Sequence, residues 1–141
     1  MMPGYLLDTN IVSHLIKQPQ GVVMRRIAEV GESAVFVSVM VACELRFGAA
    51  KRQSAALTDR VERLLSLIPV LPLDSGVDRE YADIRCFLET SGQPIGPNDL
   101  LIAAHARTLG MVLVTDNVRV FFLMIGLPLG NTLFLYTTSS D

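Results

Sequence analysis

An α/β fold, with a short-stranded and mostly parallel sheet held between helical layers, is what this sequence predicts: a three-layer α/β/α sandwich. Three observations carry the expectation. The strand-like segments Gly4-Tyr5-Leu6-Leu7, Ala34-Val35-Phe36-Val37 and Met111-Val112-Leu113-Val114-Thr115 are apolar runs without alternation, as strands covered on both faces are. Segments with helical periodicity separate them. The apolar half of the chain is aliphatic, with six Phe, three Tyr and no Trp, which suits helices on a sheet better than an aromatic-rich β fold.

Each element has a local reason. Residues 4–7 read as a buried strand that ends in a turn at Asp8-Thr9-Asn10. Ile11, Val12, Leu15 and Ile16 then share one side of a short helix. Pro19 is expected to start a second helix, with Val22, Val23, Ile27 and Val30 on one face. Residues 34–37 form the next strand, and Ser38 is placed to cap the helix beginning at Val39. Residues 54–67 make an amphipathic helix through Leu57, Val61, Leu64 and Leu65, forming a hairpin with the preceding one. Val70-Leu71 is a short strand between Pro69 and Pro72. Ser75 to Thr90 is a helix with Val77, Tyr81, Ile84 and Leu88 aligned. A stiff turn at Gly92-Gln93-Pro94-Ile95-Gly96-Pro97 leads into a helix that ends at Gly110. Residues 111–115 are a strand, Asp116-Asn117 the turn beyond it, and Leu133-Phe134-Leu135 a final strand.

The 141 residues suit one domain over 1–141, with an atypical apolar tail from about Val120. That tail is interrupted by Gly126, Pro128, Gly130 and Asn131, so no membrane span is expected. Cys43 and Cys86 form no C-x-x-C pair, which argues against a disulfide scaffold or thiolate zinc site and accords with a cytoplasmic setting. A formal charge of -2 gives no global attraction to nucleic acid, so any such contact needs a local basic patch.

Four carboxylates stand out. Asp8 and Asp116 each follow an apolar strand, so both fall on the carboxyl edge of a parallel sheet, where open α/β sheets build their sites. Asp99 lies in a first helical turn whose N-terminus can face the same edge. Glu44 sits in the apolar stretch 39–47, within roughly 10 Å of its helix start at 1.5 Å per residue. Taken singly each has a bland explanation: Asp8 as an N-cap, Asp99 as a helix-dipole partner, Asp116 as a turn former, Glu44 as a solvated group or a partner of Arg46. Together they would make an acidic, oxygen-rich pocket whose mutual repulsion a divalent cation offsets, and such ions assist phosphate-ester hydrolysis. His14 and His105 are in no zinc-hydrolase arrangement and read as packing residues. Gly48 reads as a site of close helix packing, and no glycine-rich loop has nucleotide-binding spacing.

Four segments, Leu6-Leu7-Asp8-Thr9-Asn10, Glu44-Leu45-Arg46-Phe47-Gly48, Ile95-Gly96-Pro97-Asn98-Asp99-Leu100-Leu101-Ile102-Ala103-Ala104 and Leu113-Val114-Thr115-Asp116-Asn117, together resemble the signature of PIN-domain ribonucleases. The resemblance is nearest to VapC toxins of type II toxin–antitoxin modules and covers residues 4 to about 119. It implies a PIN-like sandwich and a Mg2+- or Mn2+-dependent endoribonuclease. Asp8, Glu44, Asp99 and Asp116 would be catalytic and metal-binding, with Asn10, Thr115 and Asn117 in support. It also implies a VapB-like antitoxin, a homodimer, and an RNA substrate such as a structured tRNA. Beyond Asn117 the chain departs from the family pattern, carrying Val120, Leu123, Gly130 and Thr132 where similar toxins have charged or aromatic residues.

Arg46 and Arg119, each close in sequence to a proposed ligand, are the expected contacts to RNA phosphates. Two other readings compete. A structure-specific DNA nuclease shares this chemistry, although the chain lacks obvious added duplex-binding segments. A catalytically weak protein-binding module would use the helices at about 39–67 and the apolar tail. A haloacid-dehalogenase-type phosphatase would want a second Asp where Asn10 stands.

Overall fold

A computed structural model describes residues 4–92 and 94–116, together with the backbone of residues 133–135. Five strands form one parallel sheet: β1 (Tyr5–Leu7), β2 (Val35–Ser38), β3 (Val70–Leu71), β4 (Val112–Thr115) and β5 (Leu133–Leu135), in the spatial order β3-β2-β1-β4-β5. The helices are α1 (Thr9–Lys17), α2 (Val22–Val30), α3 (Val39–Arg52), α4 (Ala55–Leu67), α5 (Val77–Thr90) and α6 (Pro97–Leu109). This is the expected α/β/α sandwich. Its centre is the aliphatic content of the strands, with Leu6, Leu7, Val35, Val37, Leu113 and Val114 all buried. Residues of α1, α3, α5 and α6 close over them in the same apolar cluster. Among the described residues no helix is long and apolar enough to cross a membrane.

Cap chemistry sets the boundaries. Ser38 leaves β2 in an extended conformation and its hydroxyl accepts from the Met40 amide, so strand becomes helix without an intervening loop. Ser54 does the same for α4, accepting from Leu57. Two starts fall later than expected. The Pro19 signal is overridden because Gly21 N–H bonds to Gln18 C=O in a turn, and α2 begins at Val22. Gly76, at φ 107°, turns the chain through a conformation that other residues adopt only under strain, and α5 begins at Val77. Gly110, at φ 65°, ends α6 as expected.

Gly48 does not serve close packing: a Cβ placed there would meet nothing within 4 Å. Arg46 is turned toward α4, where its Nε and Nη2 donate to the two carboxylate oxygens of Glu62 at 2.8 and 2.9 Å. That pair lies across the α3–α4 hairpin.

Candidate metal-dependent active site

Sheet register builds the first half of the site. Leu7 pairs with Val114 across β1 and β4, and the Asp8 amide continues the ladder by donating to Val114 C=O at 3.0 Å. The next residues along, Asp8, Thr115 and Asp116, therefore meet at the carboxyl edge. Asp8 is only 8% exposed. One of its carboxylate oxygens caps α1 by accepting from the Ile11 amide at 3.0 Å, and the other accepts from the Thr115 hydroxyl. The capping role foreseen for Asp8 is thus real, and it coexists with placement in an acidic edge.

Burial pushes the Asp8 carboxyl up, to about 6. The Thr115 and Ile11 hydrogen bonds pull the other way, and the negative charges of Asp116 and Asp99 add to the rise. Asp116 and Asp99 therefore share the electrostatic neighbourhood of Asp8. Asp99 stands in the first turn of α6, half-buried, and its carboxyl is also raised by desolvation. Asp116 follows β4 directly, and its Oδ1 is buried with no hydrogen-bond partner among the described residues.

Glu44 completes the set from a second direction. It lies on the second turn of α3, and its Oε1 accepts from the Thr9 hydroxyl at 2.9 Å. Thr9 is the residue next to Asp8, so it ties Glu44 to the edge that holds the three aspartates. Sequence reasoning did not single out Thr9. Its only signal was its place within Asp8-Thr9-Asn10. Asn10 is exposed on α1 and makes no hydrogen bond to these carboxylates among the described residues. Asn117 and Arg119 lie outside the described residues.

As they stand, no three His, Cys, Asp or Glu among the described residues lie close enough to enclose a metal ion. The donor set nevertheless fits a hard cation. It consists of carboxylate oxygens alone, one of them buried with no partner among the described residues, and two of its charges disfavour ionisation of the third. No histidine or cysteine joins it. His105 lies elsewhere, 1% exposed on α6, with Nδ1 2.8 Å from Oγ of Ser38 at the end of β2. Desolvation pushes its pKa down, against the opposing influence of the Pro72 carbonyl and Asp74.

The sequence matches the PIN domain family over residues 5–122. This chain belongs to the PIN-domain family. Within it, the chain is closely related to VapC toxins of type II toxin–antitoxin systems. It is 36% identical over 121 residues to the tRNA(fMet)-specific endonuclease VapC of Shigella flexneri, covering 85% of this chain and 91% of the relative. It is 35% identical over 131 residues to ribonuclease VapC2 of Haemophilus influenzae, covering 92% and 98%. Among solved structures, VapBC2 of Rickettsia felis bound to a promoter DNA fragment superposes with a TM-score of 0.81 at 27% identity, over 94% of this chain and 98% of that one. DNA-bound VapBC of Salmonella typhimurium gives 0.79 at 31% identity, over 95% and 98%. The chain therefore has the fold and the toxin-family relationship that its motifs implied.

Proposed function

We infer that this PIN-domain chain is a metal-dependent endoribonuclease acting as the toxin of a type II toxin–antitoxin module. The observation that carries the chemistry is the coupling of Asp8 to Asp116 and Asp99 at one sheet edge, with Glu44 brought in through Thr9. Kinship with ribonucleases named VapC supplies the substrate class. Asp8, Glu44, Asp99 and Asp116 would hold Mg2+, or Mn2+ in its place. When bound, such an ion neutralises the cluster and provides the Lewis-acid stabilisation that phosphodiester hydrolysis needs.

The protein's own residues prepare the site. Ile11 N–H and the Thr115 hydroxyl fix the plane of the Asp8 carboxylate and favour its charged form against the desolvation that opposes it. The Thr9 hydroxyl fixes one oxygen of Glu44. Holding these groups in place before substrate arrives removes reorganisation from the reaction itself. The expected products carry a 3′-hydroxyl and a 5′-phosphate. Incubation of labelled RNA with the purified protein in Mg2+ and in EDTA tests this reading: cutting that persists in excess EDTA refutes it.

The partner reading rests on a separate surface. A cavity of about 530 Å3 opens between α1, α2 and α4, lined by Leu15, Ile27, Leu64 and Leu67 and by the charged Lys17, Arg60, Arg63 and Glu32. An apolar lining with three cations against one carboxylate suits an amphipathic antitoxin segment bearing acidic residues. Solved relatives are toxin–antitoxin assemblies, which supports a cognate antitoxin here. Leu67→Asp is expected to abolish co-purification with a co-expressed antitoxin while RNA cutting continues. Retained co-purification would refute the placement. Homodimerisation and a tRNA substrate also follow from kinship and are proposed on that basis. Sedimentation of the purified chain and mapping of cleavage ends across cellular RNA test them; a monomer, or cuts scattered over all RNA classes, would refute each in turn.

A further inference from the structure

One face of α3 is unexplained by the fold. The buried face of this helix carries Val41, Ala42, Leu45 and Ala49. Opposite, Phe47 is 67% exposed. Gly48 follows in the helix interior, where glycine is unfavourable, and no neighbour approaches closely enough to require it. Lys51 Nζ lies 6.0 Å from the Phe47 ring centroid, and no carboxylate pairs with it among the described residues. Glu44, Phe47, Gly48 and Lys51 are spaced three, four and seven residues apart, so all four share one face of the helix. The strip thus begins at a carboxylate of the active edge and runs away from it through an exposed aromatic ring, a bare stretch of backbone and a lysine that lies over that ring with no carboxylate partner among the described residues.

We propose that this strip binds single-stranded RNA next to the bond being cut, with a nucleobase stacked on Phe47 over Gly48 and a phosphate on Lys51. The inference rests on the ribonuclease reading above and adds residues to it. Single-stranded RNA is recognised largely by stacking of unpaired bases on aromatic side chains, with cations along the backbone. A side chain at position 48 would enter open space on this face, since a Cβ there would meet nothing within 4 Å. Its absence gives the helix interior glycine a use that packing does not. Lys51 has no carboxylate partner among the described residues and leans over Phe47, whereas Arg46 is held by Glu62. The negative total charge of the chain makes such a local cation necessary.

The test uses the full chain carrying Asp8→Asn, so that RNA is bound without being cut, and a short fluorescein-labelled single-stranded oligoribonucleotide read by anisotropy. Phe47→Leu keeps an apolar side chain and removes the ring; binding is expected to weaken about tenfold, while Phe47→Tyr retains it. Gly48→Leu is expected to weaken binding although its Tm is unchanged or higher, because leucine favours helix over glycine. Lys51→Gln is expected to reduce the salt dependence by about one phosphate contact. RNA affinity unchanged by Phe47→Leu and Gly48→Leu overturns the proposal. So does a loss of self-association or antitoxin binding with RNA affinity unaltered, which would make the strip a protein contact. Parent protein is assayed in parallel for Mg2+-dependent cutting. No cutting by the parent overturns the ribonuclease reading itself, whereas a parent that cuts, with variants that bind as tightly, overturns the strip alone.

Discussion

The Thr9 hydroxyl donates to Glu44 Oε1 at 2.9 Å and so joins the first turn of α1 to the second turn of α3. Both side chains are only partly buried, so the bond matters less for folding than for where the Glu44 carboxylate points. Thr9→Val preserves shape and removes the donor. It is expected to shift Tm little, since a partly exposed bond is worth about 1 kcal/mol, while RNA cleavage falls by about tenfold and Thr9→Ser restores it. Equal cleavage by Thr9→Val and the parent would show that Glu44 is positioned by other means.

Asp8 makes metal-free stability depend on pH with an unusual sign. Its carboxyl lies at about 6 in the folded protein against 3.8 ordinarily, so the folded state binds the proton more tightly than the unfolded chain does. The resulting stability is fully present below about pH 4 and is lost as pH rises through about 6, amounting to at most about 3 kcal/mol. Urea unfolding in EDTA is expected to show this loss. Asp8→Asn should remove it while keeping an oxygen to cap α1, leaving the variant more stable than the parent at neutral pH. A variant less stable than the parent at pH 7 would mean that the charged carboxylate is a net stabiliser.

Ser38 and Ser54 offer a controlled comparison of two caps. Each accepts from a backbone amide at 3.1 Å, but Ser38 Oγ is also 2.8 Å from Nδ1 of buried His105. Ser54→Ala is expected to cost about 1 kcal/mol, an ordinary cap. Ser38→Ala removes the cap and also strands a buried imidazole nitrogen, so about 2–4 kcal/mol is expected. Equal losses in chemical denaturation would show that the Ser38–His105 contact contributes nothing.

Much of the fold could be read directly from the chain because its signals are local. Apolar runs without alternation marked β1, β2 and β4, and Gly110 marked the end of α6 through its left-handed backbone. Pro19 misled because proline favours a helix start but does not compel one, and the Gln18–Gly21 turn intervenes. In the site, Asp8 and Asp116 were legible because each ends a strand, and their shared edge follows from parallel pairing. Thr9 with Glu44, Arg46 with Glu62, and Ser38 with His105 were not, because each pair is separated in sequence by many residues and no periodicity links its members. Gly48 looked like a packing glycine only until the space around it was known.

Asp99 joins Asp8 from a different element, and because no side chain caps the start of α6 its substitution by Asn leaves the helix start intact. End-labelled single-stranded RNA incubated with the parent and with Asp99→Asn, each in Mg2+ and in EDTA, tests the site most directly. Cutting is expected only for the parent in Mg2+, with an Asp99→Asn rate lower by at least about a hundredfold, as when a group that stabilises the transition state is removed, and an unchanged far-ultraviolet circular dichroism spectrum. Cutting by folded Asp99→Asn at the parent's rate, or cutting by the parent in EDTA, would contradict the claim that these carboxylates form a metal-dependent nuclease site.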